Sequence, residues 1–262
     1  MQFDASRYKV KIADTEEEIL GAQRLRYRVF VEEMGAGGEG CDHVRRLETD
    51  RFDPWFDHLI LMDREAKTDD PLDRVAGVYR LMRDDAARVG LGFYGAGEYD
   101  LSPITNSGRR SVELGRSCVA REHRGGPAMH LLWNGLAAYV LERQIEILFG
   151  VASFHGTNPE PIAGALSFLH QRYLAPPELR VRAVDEHFLD MSILPPEDFD
   201  PIEAQKRIPP LIKAYLRLGG FVGEGAFVDH AFNTIDVCVI MDTKRMTERH
   251  LKFYQRQQGR PA

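Results

Sequence analysis

The residues best suited to chemistry lie in one stretch, SVELGRSCVAREHRGGPAMHLLW, at positions 111 to 133. Glu113 and Arg116 interrupt an apolar run, which is typical of a strand end that keeps charged side chains in a cleft. A turn at 124–127 then breaks the strand pattern, and apolar residues recur behind it at helical spacing. Two glycines before a helix N-terminus present backbone N–H groups, and Arg121 and Arg124 add full positive charge. Gly-Gly also occurs in ordinary strand–turn–helix junctions, but the charged pair on the strand favours a phosphate site.

A second group of residues with chemical potential is acidic. Glu48, Asp50 and Asp53 lie within six positions, just ahead of a predicted strand. The group is either an ordinary charged loop or a site that binds a cationic amino acid. A charged pair gains strength where water is partly excluded, so the second interpretation needs a partly closed cleft.

One arginine in an apolar run needs an acidic partner. Arg80 interrupts the run RVAGVYRLM, which predicts a strand over 74–82. Since an unpaired buried charge is costly, Arg80 should form an ion pair, and Asp50 and Glu113 are the candidates. On the first predicted helix, Arg26 and Phe30 are one turn apart and share a face.

Several common chemistries lack their sequence signals. There is no HExxH, CxxC or GxSxG, and the glycine-rich 35–40 stretch has no Gly-Lys-Ser/Thr ending, so neither a metal site nor a P-loop is predicted. Gly90, Gly92 and Gly95 match GxGxxG, but no strand precedes them and no helix follows, so a loop closing over the cleft fits better. The histidines at 123, 130 and 155 lie near the proposed cleft, and each could be a general base, although histidines of this kind are more often surface or core residues.

The periodicity of apolar residues indicates which elements position these side chains. Strands are predicted over 8–12, 58–62, 74–82, 111–119, 145–153, 181–184 and 234–241, and helices over 14–34, after 127, over 158–173 and over 210–218. The Pro-rich stretch 195–210 is predicted to be a long connection. The alternation of strands and helices predicts an α/β fold, and no composition break marks a second domain.

Composition excludes several classes of protein. The 262 residues are 44% hydrophobic, and no segment has the roughly 20 apolar residues that span a bilayer or the apolar core of a signal peptide. Cys41, Cys118 and Cys238 are scattered and odd in number, which favours a reducing cytoplasm, with Cys118 and Cys238 in the core. The net charge of −6 argues against nucleic-acid binding.

The charge is unevenly distributed. From Lys244 onward the sequence contains six Lys or Arg residues and one Glu. A basic C-terminal helix over about 244–258 is predicted, which is either a solvated helix or a peripheral contact with an anionic inner membrane.

The order of motifs supplies a family resemblance. LRYRVF (25–30), ETDRFD (48–53), AGVYRL (76–81) and VELGRSCV (112–119) resemble, in this order, the acyl-homoserine-lactone synthases, a GNAT-like family. The chain resembles the bacterial ornithine acyl-ACP N-acyltransferases more closely, because the likeness extends through EHRGG (122–126), FHGTNP (154–159) and most of 211–241. The resemblance implies a single GNAT-like α/β domain over 1–262, with a central mixed, twisted sheet flanked by helices.

The resemblance also assigns site residues. It implies that the reacting centre is surrounded by Arg26, Phe30, Glu48, Asp50, Asp53, Arg80, Glu113 and Arg116. It places the phosphopantetheine arm at Val119, Arg121, Arg124, Gly125 and Gly126. The synthases usually have Trp shortly after the first helix, where this chain has Gly35 and Ala36, which argues against a homoserine-lactone product.

The implied reaction is direct transfer of a (3-hydroxy)acyl chain from acyl carrier protein to the α-amino group of L-ornithine, giving lyso-ornithine lipid. Glu113 would be the general base, Arg80 and Arg116 would hold carboxylates, and Asp50 or Asp53 would receive the side-chain ammonium. No cofactor is needed, since the phosphopantetheine arrives on the carrier. The alternatives are an acyl-homoserine-lactone or other N-acyl amino acid synthase, and a noncatalytic module that binds acyl carrier protein or lipid.

Overall fold

The computed structural model describes residues 7–36 and 40–245. Its strands are β1 (Tyr8–Ile12), β2 (Cys41–Asp42), β3 (Leu47–Glu48), β4 (Asp57–Asp63), β5 (Val75–Arg83), β6 (Tyr99–Asp100), β7 (Ser111–Val119), β8 (Ile147–His155), β9 (Arg182–Ala183), β10 (Phe188–Leu189), β11 (Phe221–Val222), β12 (Ala226–Asp229) and β13 (Thr234–Asp242). Its α-helices are α1 (Glu16–Arg26), α2 (Asp84–Val89), α3 (Ser102–Thr105), α4 (Ala128–Glu142), α5 (Ala163–Tyr173), α6 (Pro201–Arg207) and α7 (Pro210–Arg217).

The chain divides into two compact units, 1–91 with 114–144 and 92–113 with 145–262. Strand β7 contributes its first three residues to the second unit and the others to the first unit. The prediction of a single domain over 1–262 stays a prediction, because compact units of this kind occur within single domains as well as between domains.

In the first unit, helices cover both faces of the sheet. The strand order is β1-β4-β5-β7, with β1, β4 and β5 antiparallel. Adjacent strand residues point to opposite faces, so Ile60 packs with Ala22 and Leu25 of α1, while Leu59 lies against Gly135 of α4. A Cβ at Gly135 would lie 3.2 Å from Leu59 and still closer to β1, so glycine lets α4 approach the strands closely.

The first helix begins and ends for identifiable reasons. The side chain of Thr15 accepts a hydrogen bond from the backbone of Glu18, as an N-cap does, and three glutamates occupy the first turn. After Arg26 the chain continues as a π-helical segment, Tyr27–Glu33. The segment predicted as one helix over 14–34 is therefore an α-helix followed by a π-helical segment. Such wider π turns are frequent at functional sites.

The second unit is built around the most completely buried strand. β13 pairs antiparallel with β8 through nine residue pairs, from Thr234 opposite His155 to Asp242 opposite Ile147. The first three residues of β7 pair parallel with β8, and β12 and β11 pair antiparallel with β13. The combination of parallel and antiparallel pairs confirms the predicted mixed sheet.

The interpretation of 195–210 as a connection is wrong. Residues Pro201–Arg207 form α6, whose N-cap Asp200 accepts a hydrogen bond from the backbone of Ile202 at 2.8 Å. Pro201 at the first helical position has no N–H to lose, so proline here starts a helix instead of preventing one. The strand predicted over 181–184 is only two residues long, Arg182–Ala183.

Other predictions on single elements have mixed outcomes. Cys118 and Cys238 are buried and all three cysteines are free, as predicted. Of the basic C-terminal helix, Thr243–Arg245 form a 3₁₀ turn and the rest lies outside the described residues. Within the described ranges, no helix has the length and apolar character to cross a membrane.

Candidate active site

Arg26 is the centre of a buried ion-pair cluster in the first unit. It is the last residue of α1, and its side chain is fully buried. Its Nε donates to Oε2 of Glu48 at 2.5 Å, and its two terminal nitrogens donate to the two carboxylate oxygens of Asp53 at 2.8 and 2.9 Å. A guanidinium out of water needs this degree of pairing, and the bidentate geometry fixes both partners.

The two acids around Arg26 are ionised despite their burial. Burial alone would raise the pKa of Asp53, but the charges of Arg26 and Arg80 outweigh it and hold that pKa well below its usual range. Burial likewise opposes ionisation of Glu48, and Arg26 and Arg116 lower its pKa. The cluster is therefore a set of true ion pairs at neutral pH.

Arg80 joins the cluster from β5. Its Nη1 donates to Oδ2 of Asp50 at 2.6 Å and to Oδ1 of Asp53 at 2.7 Å, which confirms the predicted ion pair and identifies Asp50, of the two candidates Asp50 and Glu113, as a partner. The guanidinium carbon lies 4.3 Å from the centre of the Phe56 ring, so the ring covers one face of the cation. The side chain of Arg80 is only 1% exposed, which gives it a fixed position.

Arg116 enters from β7 through an unusual backbone conformation. Its φ is 48°, in the left-handed region that non-glycine residues seldom occupy. Its Nε donates to Oε1 of Glu48 at 3.0 Å, and Nη2 lies 3.9 Å from Oδ2 of Asp50. The strained backbone thus aims a cation at the cluster, and strain of this kind concentrates at functional sites.

The cluster contains three cations and three anions, and one end of it reaches solvent. The side chains of Asp50 and Arg116 are 14% and 13% exposed, whereas that of Arg26 is fully buried. Asp50 is nevertheless held on both oxygens, since Oδ2 accepts from Arg80 at 2.6 Å and Oδ1 accepts from the backbone N–H of Phe52 at 2.8 Å. A zwitterion, such as an amino acid, matches this end with its ammonium on the carboxylate and its carboxylate on the guanidinium.

Two members of the site were missed from sequence. The amide of Gln23 donates to Oδ2 of Asp53 at 3.0 Å. Its position three residues before Arg26 on α1 was the available signal. His58 is buried with Nε2 3.3 Å from the carbonyl oxygen of Asp53, and burial together with the charge of Arg26 lowers its pKa.

Phe30 packs against the apolar cluster around α1 and has no described contact with the charged side chains.

Glu113 belongs to the second unit and is held by backbone donors. It is buried, and its two carboxylate oxygens accept hydrogen bonds from the N–H groups of Tyr94 and Gly95 at 2.7 and 2.6 Å. Gly95 belongs to the 3₁₀ turn Tyr94–Gly97, and a Cβ there would lie 2.8 Å from Oε1 of Glu113. The 90–97 stretch therefore positions a carboxylate.

The stretch proposed to bind phosphopantetheine forms a turn between β7 and α4. Arg121–His123 make a 3₁₀ turn, and Arg124 donates from Nε to the carbonyl oxygen of Val119 at 2.9 Å. Gly125 has φ 74°, which favours glycine, and Arg121, Gly125 and Gly126 are exposed. Among the residues that the structure describes, no side chain caps the start of α4, and N–H groups at a helix N-terminus are a suitable site for an anion.

One group of acids in the second unit has the spacing of a cation site. The ligand atoms of Glu98, Asp229 and Asp236 all lie within 4.8 Å of one another. Their sequence spacing gave no signal for this. Carboxylate groups of this kind are common in proteins that bind no ion, and the absence of a metal site stays a prediction.

Comparison with known proteins shows which family the chain resembles. The acetyltransferase (GNAT) domain family matches residues 25–134, which include all six members of the charged cluster. FeeM, described as an N-acyl amino acid synthase from uncultured soil microbes, superposes with a TM-score of 0.52 over 91% of this chain and 92% of its own. At 13% identity this likeness concerns the fold alone, and it agrees with the predicted GNAT-like architecture.

Sequence relatives are much closer. The L-ornithine N(alpha)-acyltransferase of Rhodobacter capsulatus is 55% identical over 250 residues, 95% of each chain. The enzyme of the same name from Brucella abortus is 41% identical over 94% of this chain and 88% of its own. Because this identity runs through nearly the whole chain, the protein belongs to the family of L-ornithine N(alpha)-acyltransferases.

Proposed function

We propose that this enzyme transfers a (3-hydroxy)acyl chain from acyl carrier protein to the α-amino group of L-ornithine, giving lyso-ornithine lipid. The observation that carries the proposal is 55% identity, over 95% of both chains, to an L-ornithine N(alpha)-acyltransferase. Ornithine is a zwitterion with an additional side-chain ammonium, so the enzyme must neutralise three charges and leave the α-amino group free to react.

The exposed end of the charged cluster supports an amino-acid acceptor. Arg116 would bind the α-carboxylate, and Asp50 would receive an ammonium group. Of the two aspartates predicted for this task, Asp50 is the better candidate, because its side chain is 14% exposed, whereas that of Asp53 is 7% exposed and is paired with both Arg26 and Arg80. The inner half of the cluster would then hold the outer half in place.

The turn between β7 and α4 supports a phosphopantetheine donor. The phosphate would lie on the N–H groups at the start of α4, with Arg121 supplying charge, and the arm would run along β7 past Val119. The exposure of Arg121 and of both glycines leaves room for the phosphate of a protein-borne arm.

The chemistry needs two proton transfers and one displacement. The α-ammonium gives one proton to the base, and its nitrogen attacks the thioester carbonyl. As the C–S bond breaks, the nitrogen gives up its second proton to the departing sulfur, so the carrier leaves as a thiol and an amide forms. Glu113 is the proposed base, and two backbone N–H groups fix the direction of its carboxylate. Glu113→Gln keeps the size of the side chain but removes the basic oxygen, so turnover should fall while the protein stays folded.

Mass spectrometry tests the proposal directly. Purified protein is incubated with 3-hydroxyacyl carrier protein and an equimolar pool of amino acids, with and without S-adenosylmethionine. Acyl-ornithine formed without S-adenosylmethionine and lost in Glu113→Gln is the expected result. A product that requires S-adenosylmethionine would indicate a homoserine-lactone synthase, another acyl-amine would change the acceptor, and intact donor would favour a binding module.

An amphiphilic product would leave most readily at a membrane surface. We propose that the basic residues from 244 onward make a peripheral contact with the anionic cytoplasmic face of the inner membrane. Most of these residues lie outside the described part of the chain. Deleting 244–262 should weaken binding to anionic vesicles more than it lowers activity on soluble substrates, and unchanged vesicle binding would refute this contact.

A further inference from the structure

The ion pairs that hold the turn proposed to bind the donor phosphate lie at the protein surface. Glu122 pairs with Arg28 at 3.1 Å and Arg124 pairs with Glu33 at 2.8 Å, but the side chains of Glu122 and Arg124 are 54% and 44% exposed, and exposed ion pairs contribute little. The local backbone bonds join His123 to Ala120 at 2.9 Å and Arg124 to Arg121 at 3.3 Å. Two glycines in succession allow wide backbone motion, so a phosphate site here needs an additional anchor.

His123 is the enclosed side chain of this turn. It is 11% exposed, and its Nδ1 lies 2.9 Å from the hydroxyl of Tyr8. The two rings meet edge to face, with centres 5.7 Å apart and planes 80° apart. On the other side of the ring, Nε2 lies 3.8 Å from Oδ2 of Asp63. The imidazole is therefore enclosed by a hydroxyl and a carboxylate.

The two residues that hold His123 are themselves fixed. Tyr8 on β1 and Asp63 on β4 are direct partners in the strand register. Arg7 donates to both oxygens of Asp63, at 3.0 and 2.7 Å, and Asp63 also accepts from the backbone of Glu65. These bonds belong to the sheet and not to the turn, so they provide a rigid point to which the turn can be attached.

We propose that His123 is a positioning residue for the acyl donor: clamped between Tyr8 and Asp63, it ties the 121–126 turn to the edge of the sheet. The inference rests on the proposed function, because it assumes that the turn receives the donor phosphate. It assigns to His123 no proton transfer and no contact with the reacting atoms. Its loss should therefore weaken donor binding without changing the chemical step.

The kinetic test separates positioning from catalysis and from general stability. His123→Ala and Tyr8→Phe should each raise the KM for acyl carrier protein about five- to tenfold, with kcat and the KM for ornithine within about twofold of wild type. The double variant should be no worse than His123→Ala, because both changes remove the same tie.

The chain contains a matched control. Tyr27 and His43 form the same contact, hydroxyl to Nδ1 at 2.8 Å with ring centres 5.7 Å apart, but His43 lies outside the turn. His43→Ala should leave the donor KM unchanged. If His123→Ala matches His43→Ala, or lowers only kcat or the melting temperature, the positioning role is overturned.

A binding measurement distinguishes this inference from the proposed function. Wild type should bind holo carrier protein more tightly than apo carrier protein, and His123→Ala should lose most of that preference. If wild type transfers the acyl group normally and His123→Ala has an unchanged KM for acyl carrier protein, the positioning role of His123 is overturned. The proposed function is then unaffected. If wild type transfers no acyl group, the proposed function fails, and the tie stands only if His123→Ala still abolishes the preference for holo carrier.

Discussion

Replacing Asp53 by Asn tests whether the inner half of the charged cluster is structural. The substitution keeps the shape of the side chain but removes the negative charge that holds Arg26 and Arg80, leaving two buried guanidinium groups with one fewer anion. Removing one partner from a buried ion pair typically costs about 3–5 kcal/mol of unfolding free energy. For a chain of this size that corresponds to a fall in melting temperature of about 10 °C.

The assay is urea unfolding followed by circular dichroism, with Asp14→Asn as the matched control. Asp14 makes an ion pair with Lys11, but its side chain is 70% exposed, so its replacement should leave the midpoint close to wild type. If Asp53→Asn unfolds at the same urea concentration as Asp14→Asn, the cluster does not hold the fold together, and the structural argument fails.

The same variant has a pH signature. The pKa of Asp53 is lower in the folded protein than its ordinary value of about 3.9. A depressed carboxyl pKa contributes stability that is present above the ordinary pKa and is lost as pH falls toward the folded value. The difference in unfolding free energy between wild type and Asp53→Asn should therefore be largest near neutral pH and should become smaller below about pH 4. A constant difference down to pH 2 would contradict this assignment.

Two further predictions concern the second unit and the cysteines. Gly95→Ala should lower kcat at least about tenfold, because its Cβ would lie 2.8 Å from Oε1 of Glu113. The control is Gly97→Ala, whose Cβ would meet no described atom within 4 Å and whose kcat should be close to that of wild type. Equal rates of the two variants in single-turnover assays would refute a positioned Glu113. Burial raises the pKa of Cys118 to about 12, so iodoacetamide at pH 8 should label the part-exposed Cys41 and spare Cys118 in the folded protein. Peptide mass spectrometry measures this, and equal labelling would contradict it.

Local patterns in the sequence were sufficient to predict the long elements. Strict alternation over 234–241 predicted β13, and the apolar run near 145–153 predicted β8, because burial of one or both faces leaves a periodic trace. The charge of Arg80 inside an apolar run predicted an ion pair, since a buried cation requires one, and Asp50 is the one of the two candidate partners, Asp50 and Glu113, that the structure pairs with it. These inferences depend on the residue itself and its near neighbours.

Features set by tertiary contacts were not predicted. Nothing near Glu113 in the chain indicates that the N–H groups of Tyr94 and Gly95 will bind its carboxylate, because those donors are 19 and 18 residues away, respectively, and belong to a turn. The left-handed conformation of Arg116 likewise follows from its partners and not from its type. Sequence alone also could not rank Asp50 and Asp53, which lie in one acidic segment.

The structure ranks those two aspartates, and the ranking separates stability from recognition. Asp53 lies at the start of a 3₁₀ turn and pairs with the buried Arg26. Asp50 lies with Arg116 at the end of the cluster that is exposed to solvent. A neutral cluster of six charges has no net field to attract a substrate from afar, so its selectivity must come from the geometry of its exposed end. Under the proposed function, Asp50 would receive the side-chain ammonium of ornithine and Arg116 its α-carboxylate, which leaves the α-amino group free to react. The buried pairs would then supply the rigidity of the site, and the exposed pair would supply its preference for an amino acid.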